Sequence, residues 1–172
     1  MEVYQAIRSR RTVREYKPDP IPQELIKKIL QCARWSPSSS NTQKWSFIAI
    51  QNRDTLSELG NICKQGPFVS QAPFAVAVVM DDAPRPQLDA GRAIQSMELM
   101  AWSEGVGMCF VGVREQDQIV AVKALLNIPE KMDLITVLAF GYRADITKQP
   151  GTPRVPFNEI VHWDRFGEMT QP

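Results

Sequence analysis

The sequence predicts a single domain, residues 1–172, in which helices and strands interleave around one sheet that is covered on both faces. Two observations support this prediction. Segments with apolar residues at helical spacing alternate with short apolar runs that suit buried strands, such as Pro73–Met80. The 172 residues, of which 44% are hydrophobic, are enough for one well-filled core and too few for two.

The N-terminus predicts a short helix followed by an extended segment. The β-branched pair Thr12-Val13 favours an extended path, and alternation there would send Arg10, Thr12 and Arg14 to one side. The apolar residues that form the helical stripe before it are Val3, Tyr4, Ala6 and Ile7.

The remaining elements follow from apolar periodicity and from the residues that punctuate it. Pro22 suits the first turn of a helix, Pro37 requires that helix to stop by Trp35-Ser36, and Gly105 ends the longest helix. Pro73–Met80 is apolar throughout, which predicts a central strand. The predicted helices are Pro22–Trp35, Asp54–Cys63, Leu88–Glu104 and Asp117–Leu126, and the predicted strands are Trp45–Gln51, Pro73–Met80, Met108–Val113 and Leu134–Tyr142.

Composition excludes several classes of function. No apolar stretch approaches the roughly 20 residues that span a bilayer, and the N-terminus lacks the apolar core of a signal peptide, so we expect a cytoplasmic protein with no membrane partner. The three cysteines are widely spaced and lie beside apolar residues, which predicts buried, reduced thiols. One histidine, His162, cannot form a metal cluster, and no metal site is predicted.

Four arginines, Arg8, Arg10, Arg11 and Arg14, stand against one acid in the first fourteen residues, although the whole chain has a net charge of +1. So local a cluster suggests a specific anion, because a nucleic-acid surface would need basic charge along a whole face. Arginine suits phosphate because its planar fork donates parallel, charge-assisted hydrogen bonds. The alternative is a solvated helix end that complements the helix dipole.

Two further segments have unusual composition. Residues 36–44 contain almost no apolar side chains and predict a loop, which composition alone would describe as an ordinary flexible serine loop. The last thirty residues contain Pro150, Pro153 and Pro156, and then Phe157 to Trp163 alternates like a strand. Such a tail packs either on a partner subunit or over its own domain.

In their order and separation, three features resemble the nitroreductase family of FMN-dependent oxidoreductases: residues 10–14, the loop 36–45, and Arg154 with residues 157–163 behind it. The resemblance covers nearly the whole chain, including the Asp89-containing helix and the glycine-bearing segment 105–112. It implies an α+β fold with a mixed central sheet flanked by helices. It also implies a homodimer with FMN at the interface and an extended C-terminal arm, residues 143–172, that reaches the partner.

The resemblance also implies roles for individual residues. Arg10, Arg11 and Arg154, helped by Thr12, would hold the FMN phosphate, and Arg14 would lie near the N1 and O2 edge of the flavin. The loop that approaches the flavin from the other subunit would be Pro37, Ser38 and Ser39, with Asn41 close by. Val111 and Gly112 would offer a backbone N–H to flavin N5, and His162 would belong to the packing of the arm.

The implied reaction is ping-pong hydride transfer from NADH or NADPH, through flavin N5, to a small planar acceptor such as a nitroaromatic or a quinone. No side chain is then required as a catalytic acid or nucleophile. Open alternatives are a flavin-dependent dehalogenase, dehydrogenase or flavin-fragmenting enzyme, a flavin-binding module without turnover and, more remotely, a nucleic-acid binder. Lys44 replaces a proline usual in relatives, and the short linker Asp81 to Gln87 predicts an open pocket roofed mainly by the partner.

Overall fold

The computed structural model describes residues 1–144 and 152–169, and the secondary structure agrees with the predicted elements to within two residues at each end for all eight. Residues 145–151 and 170–172 of the predicted arm lie outside this description. The helices are α1 (Val3–Ser9), α2 (Gln23–Arg34), α3 (Arg53–Ile62), α4 (Pro86–Ser103), α5 (Gln116–Leu125) and α6 (Phe157–Ile160), and the strands are β1 (Trp45–Ile50), β2 (Phe74–Met80), β3 (Val106–Val111) and β4 (Asp133–Tyr142).

The four strands form one sheet in the order β1-β2-β4-β3. All three neighbouring pairs are antiparallel, with Ile48 opposite Ala77, Ala77 opposite Val137, and Val111 opposite Val137. Among residues 1–144 and 152–169, the expected parallel component is one isolated bridge between Thr12 and Met108. The expectation of a mixed sheet is therefore met only at that bridge.

Helices cover both faces of the sheet, as predicted. On one face, Phe74, Val76 and Val78 of β2 pack in a core with α2 and α4. On the other face, Ala75 and Ala77 pack with α3 and α5. Every residue of β2 is buried, which confirms it as a central strand. Complete burial of a large aliphatic side chain typically stabilises the folded state by about 1.5–3 kcal/mol.

The predicted strand at residues 157–163 is wrong. Phe157–Ile160 forms a single helical turn, α6, in which the Val161 N–H donates to the carbonyl of Phe157 at 3.0 Å. Pro156 precedes the turn, and no strand within the described residues pairs with this segment, so alternation alone could not produce an extended conformation.

The burial of the cysteines agrees with expectation for two of the three. Cys63 and Cys109 are buried and Cys32 is half-buried, and all three are free thiols.

Between β2 and α4 the linker is only Asp81 to Arg85, with no inserted helix. No helix within residues 1–144 and 152–169 is long and apolar enough to cross a membrane. That residues 1–172 form one domain stays a prediction.

Candidate functional site

The N-terminal segment, residues 10–16, runs along the outer edge of β3. Thr12 forms a parallel bridge with Met108, and the Val13 N–H donates to the carbonyl of Met108 at 3.1 Å. Val13 is buried, whereas Thr12 and Arg14 are exposed, which confirms the predicted alternation. The close approach depends on Gly107, because a Cβ there would lie 2.4 Å from a Val13 methyl carbon.

Arg10 is held by a buried carboxylate on α4. Its Nη1 donates to Oε1 of Glu98 at 3.1 Å, and Gln95 donates to the other oxygen at 3.2 Å. Glu98 is only 7% exposed. Burial raises the pKa of Glu98, and the Arg10 guanidinium opposes that rise. Arg10 is thus fixed through one nitrogen of its fork.

Arg11 turns back onto the end of α1. Its Nη1 donates to the carbonyls of Arg8, Ser9 and Arg10 at 3.0, 2.9 and 2.9 Å. These carbonyls belong to the last turn, where a cation also complements the helix dipole. The structure therefore gives Arg11 the helix-end role that the sequence left as the alternative, and Nη1 is the only atom of its guanidinium engaged among the described residues.

Arg14 and Tyr16, at the end of the N-terminal segment, contact β3 and β4. The Tyr16 hydroxyl donates to Val13 at 2.7 Å and also lies 3.1 Å from the carbonyl of Ala139, so it braces the segment against β4. Burial raises the pKa of Tyr16, which keeps the hydroxyl protonated as a donor. Burial also raises the pKa of the Cys109 thiol, and the Arg14 guanidinium beside it opposes that rise. Arg14 therefore lies next to the second half of β3.

The end of β3 brings in residues that sequence reasoning missed. A Cβ on Gly66 would lie 2.5 Å from a Val111 methyl carbon, and a Cβ on Gly112 would lie 3.1 Å from Oε1 of Gln65. The turn after α3 thus packs directly on Val111 and Gly112. The signal that could have found it is Gly66-Pro67, which marks a turn before the next apolar strand.

The serine loop, residues 36–44, is firmly held rather than flexible. Asp89, at 0% exposure, accepts the Ser39 N–H with both oxygens at 3.0 Å and the Ser39 hydroxyl at 3.1 Å. The Ser38 hydroxyl accepts the Gln43 N–H at 2.9 Å. The ordinary flexible loop that composition suggested does not describe this segment.

The backbone of the serine loop is also strained. Ser40, Asn41 and Gln43 have φ of 50°, 55° and 51°, in the left-handed region that non-glycine residues seldom adopt. A left-handed conformation at a non-glycine residue costs of the order of 1–3 kcal/mol and persists only where the surrounding structure enforces it. Residues in this conformation are often found together at functional sites. Thr42 adds a buried hydroxyl oxygen with no hydrogen-bond partner in the described part of the chain.

The predicted site residues form two separate groups within one chain. Arg10, Arg11, Thr12 and Arg14 lie in the segment that pairs with β3 at Met108, and Val111 and Gly112 lie at the end of that edge strand, whereas Pro37, Ser38, Ser39 and Asn41 lie in the loop before β1, the strand at the opposite edge. Three strand spacings, about 14 Å, separate those edges. Along α4 the two anchors, Asp89 and Glu98, are nine residues apart, a rise of about 13 Å.

Arg154 joins neither group. It is exposed, and its Nη1 donates to the carbonyl of Thr152 at 2.9 Å within its own segment. The hydrogen bonds that the structure gives to residues 152–169 stay inside that segment. No hydrogen bond among the described residues links Arg154 to Arg10 or Arg11, and the role of Arg154 stays a prediction.

Comparison with known proteins gives the family. The model of the nitroreductase family matches residues 7–85 and 67–142. The chain belongs to the nitroreductase family. A family relative from Methanothermobacter thermautotrophicus, provisionally named NADH dehydrogenase/NAD(P)H nitroreductase, is 31% identical over 96% of this chain and 88% of its own length.

Solved structures of the family share the fold. An FMN-dependent nitroreductase from Clostridium difficile superposes with a TM-score of 0.84 at 24% identity, covering 95% of this chain and 99% of the other. The NADPH:FMN oxidoreductase of Vibrio harveyi, solved with NAD+, gives 0.85 at 22% identity over 96% and 78% of the two chains. The nitroreductase-like fold and the α+β class predicted from the sequence are confirmed.

Proposed function

We propose that this protein is an FMN-dependent oxidoreductase that uses NADH or NADPH to reduce a small planar acceptor such as a nitroaromatic or a quinone. One observation supports the proposal: in a chain of the nitroreductase family, the segment that carries Arg10, Arg11, Thr12 and Arg14 pairs with Met108 of β3, the strand that ends at Val111. This arrangement offers cations, a hydroxyl and closely packed backbone at one edge of the sheet.

The residues present fit FMN by their donor chemistry. Two guanidinium groups and the exposed Thr12 hydroxyl provide charge-assisted and neutral donors for a phosphate. Arg10 engages Glu98 through Nη1, and Arg11 engages the α1 carbonyls through its own Nη1. An arginine carries five N–H donors, so the rest of each fork is available to an anion. Arg154, which is exposed and engages the Thr152 carbonyl through Nη1 alone, would add a third guanidinium to the same phosphate.

When bound, FMN supplies a ring that accepts a hydride from NAD(P)H and passes the electrons on to an acceptor. The protein's part is to bind and orient. Arg14, near the N1 and O2 edge, would stabilise the negative charge that the ring gains. A backbone N–H at Val111 or Gly112 would donate to N5, and the packing of Gly66 and Gln65 against these residues fixes their position.

We propose a homodimer in which each flavin is shared. Within one chain the serine loop precedes β1 and its Ser39 is held at the start of α4, whereas the segment with the arginines pairs with β3 at the other edge of the sheet, which supports a serine loop supplied by the partner. The linker from Asp81 to Arg85 contains no inserted helix, which supports an open pocket that admits donor and acceptor in turn. The cytoplasmic location predicted from the sequence stays a prediction.

The test is anaerobic reduction of the purified, FMN-reconstituted protein by NADH and by NADPH, followed by a panel of nitroaromatic, quinone and halogenated acceptors. We expect the flavin absorbance to be bleached by at least one donor and restored by nitroaromatics or quinones. Restoration by halogenated acceptors alone would indicate a dehalogenase instead. Bound flavin that neither donor bleaches would refute the enzyme and favour a binding module.

A further inference from the structure

The buried carboxylate of Asp89 is the strongest feature of the molecule that the proposed function leaves unused. It lies in the first turn of α4 with no exposed surface, and three of its hydrogen bonds come from Ser39. The Arg92 guanidinium, 3.6 Å away and partly exposed, is its counter-ion. A buried charge without such partners is costly, so its hydrogen bonds must hold the loop firmly.

What Asp89 holds is a strained loop, not an ordinary turn. Ser39 starts the turn, and Ser40, Asn41 and Gln43 follow with positive φ. Left-handed backbone at non-glycine residues persists only where neighbouring contacts determine it. The Ser36 hydroxyl, bound to Ser96 of α4 at 2.8 Å, fixes the other end of the loop to the same helix. Helix α4 therefore dictates the shape of the serine loop.

The same helix also supports the arginines of its own chain, at a different place. Glu98, nine residues after Asp89, holds Arg10 at the β3 edge. If the serine loop meets the partner's flavin, the two carboxylates of one α4 serve two different flavin sites. Glu98 acts on the site of its own chain and Asp89 on the site of the partner.

We propose that Asp89 is a positioning residue that holds the Ser38–Asn41 turn in shape for the flavin site of the partner subunit. This inference rests on the proposed function, since it requires a shared flavin. It makes Asp89 a residue that never touches FMN and yet determines FMN affinity across the dimer interface.

The test uses two differently tagged copies, co-expressed and purified as defined heterodimers, with Asp89→Asn and Arg11→Ala as the two defects. FMN binding is followed by fluorescence titration, which counts the sites of wild-type affinity per dimer. When each copy carries one defect, both defects fall in one site, and we expect one site of wild-type affinity. When one copy carries both defects, each of the two sites is damaged by one defect, and we expect no site of wild-type affinity.

The opposite pattern, with one intact site only when a single copy carries both defects, would overturn the proposal and place Asp89 in the site of its own chain. Equal counts in the two heterodimers would also overturn it, because a merely destabilised protein does not distinguish them. Wild-type protein that binds no FMN would instead refute the proposed function. In the control, Asp54→Asn in the exposed first turn of α3 replaces Asp89→Asn, and both heterodimers should then show one site of wild-type affinity, because only Arg11→Ala damages a site.

Should the Asp89→Asn dimer fail to assemble, Ser39→Ala takes its place, since it removes only the hydroxyl contact of 3.1 Å. We expect the same pattern of sites with a smaller loss of affinity. An Asp89→Asn, Ser39→Ala double variant should lose less than the product of the two single fold-changes, because both remove the same contact. Multiplicative losses would contradict the link between the two residues.

Discussion

The arginines of the N-terminal segment differ in what each one contacts. Arg10 is paired with buried Glu98, Arg11 covers the carbonyls that end α1, and Arg14 is exposed next to Cys109. A cluster of like charges in the sequence is thus divided into three environments. Of the three, only Arg10 has its charge opposed by a carboxylate among the described residues, so Arg11 and Arg14 are the stronger attractants for an anion.

Arg11→Ala is expected to weaken FMN binding by roughly 10- to 100-fold, since a charge-assisted hydrogen bond contributes roughly 1.5–3 kcal/mol and about 1.4 kcal/mol is a tenfold change. Arg14→Ala should slow reduction of the bound flavin by NAD(P)H more than it weakens binding. Fluorescence titration and anaerobic stopped-flow absorbance measure the two quantities. Arg8→Ala, at the exposed end of α1, is the matched control. Equal effects of the Arg11 and Arg14 changes on both quantities would contradict this division.

Glu98 gives the site a pH dependence of known sign. Burial raises its pKa in the folded protein above the ordinary 4.5, so the folded state binds this proton more tightly. Its contribution to stability is full below the unfolded pKa and is lost as the pH rises through the folded pKa. The free energy of unfolding of the wild type relative to Glu98→Gln should therefore fall as the pH rises above the ordinary carboxyl pKa of 4.5. Urea unfolding of both proteins measures the difference, and a constant or rising difference would show that the Arg10 pair outweighs burial.

At the scale of elements, the N-terminal segment lies where it does because β3 and β4 lack side chains at two positions. A Cβ at Gly107 would meet Val13, and one at Gly141 would lie 2.7 Å from the Tyr16 ring. Two glycines thus make room for one extended segment, and the segment in turn carries Thr12 and Arg14.

Gly107→Ala should destabilise the protein by about 1–3 kcal/mol, the usual cost of overpacking, and should weaken FMN binding because Thr12 and Arg14 are displaced. Val13→Gly in the same chain removes the atoms that the new methyl group meets, so the double variant should lose less stability than the sum of the two single losses. Thermal unfolding and FMN titration provide the readouts. The control is Gly91→Ala, which meets nothing within 4 Å in α4 and should stabilise by about 0.5–1 kcal/mol. Loss of stability without loss of FMN affinity in Gly107→Ala would separate the segment from the site.

Most of the elements could be predicted from local pattern, because apolar periodicity reports burial directly. The extent of α4 and the burial of β2 follow from spacing and continuity alone. The α6 turn could not be predicted from the sequence, because alternation of apolar residues over a few positions does not define a conformation when no strand pairs with the segment. The left-handed residues of the serine loop did not follow either, because the carboxylate that enforces them lies fifty residues away in the chain.

The candidate site was predictable only in part for the same reason. The grouping of residues 10–14 with Val111 and Gly112 was implied by family resemblance, and the structure pairs Thr12 with Met108 of the strand that ends at Val111. The carbonyl contacts of Arg11 and the packing of Gln65 are tertiary details that no spacing reports. Roles of individual residues in holding FMN stay predictions.

At the scale of the whole molecule, one chain leaves a large apolar surface uncovered. A groove of about 380 Å³ between α1, α2 and α4 is lined by Met1, Val3, Ala6, Cys32, Trp35, Ser96, Leu99, Met100 and Ser103, and Trp35 is 77% exposed. Of the predicted α1 stripe only Ala6 is buried. The arm adds Phe157 and Ile160, at 66% and 61% exposure. Exposed apolar residues of this number are typical of an interaction surface, and the proposed homodimer would cover both the groove and the arm.

The arm is therefore expected to stabilise the dimer. Phe157→Ser with Ile160→Ser should raise the dimer dissociation constant at least tenfold, since burying one such side chain contributes roughly 1.5–3 kcal/mol. Because each flavin would be shared, the variant should also lose FMN on dilution, whereas wild type retains it. Sedimentation velocity and FMN stoichiometry over a dilution series measure both. Val120→Ser, equally exposed at 58% on α5, is the control and should change neither. A variant whose monomer binds FMN with wild-type affinity would show that a single chain builds the whole site, and the separation of the serine loop from the arginines would then have to close within one subunit.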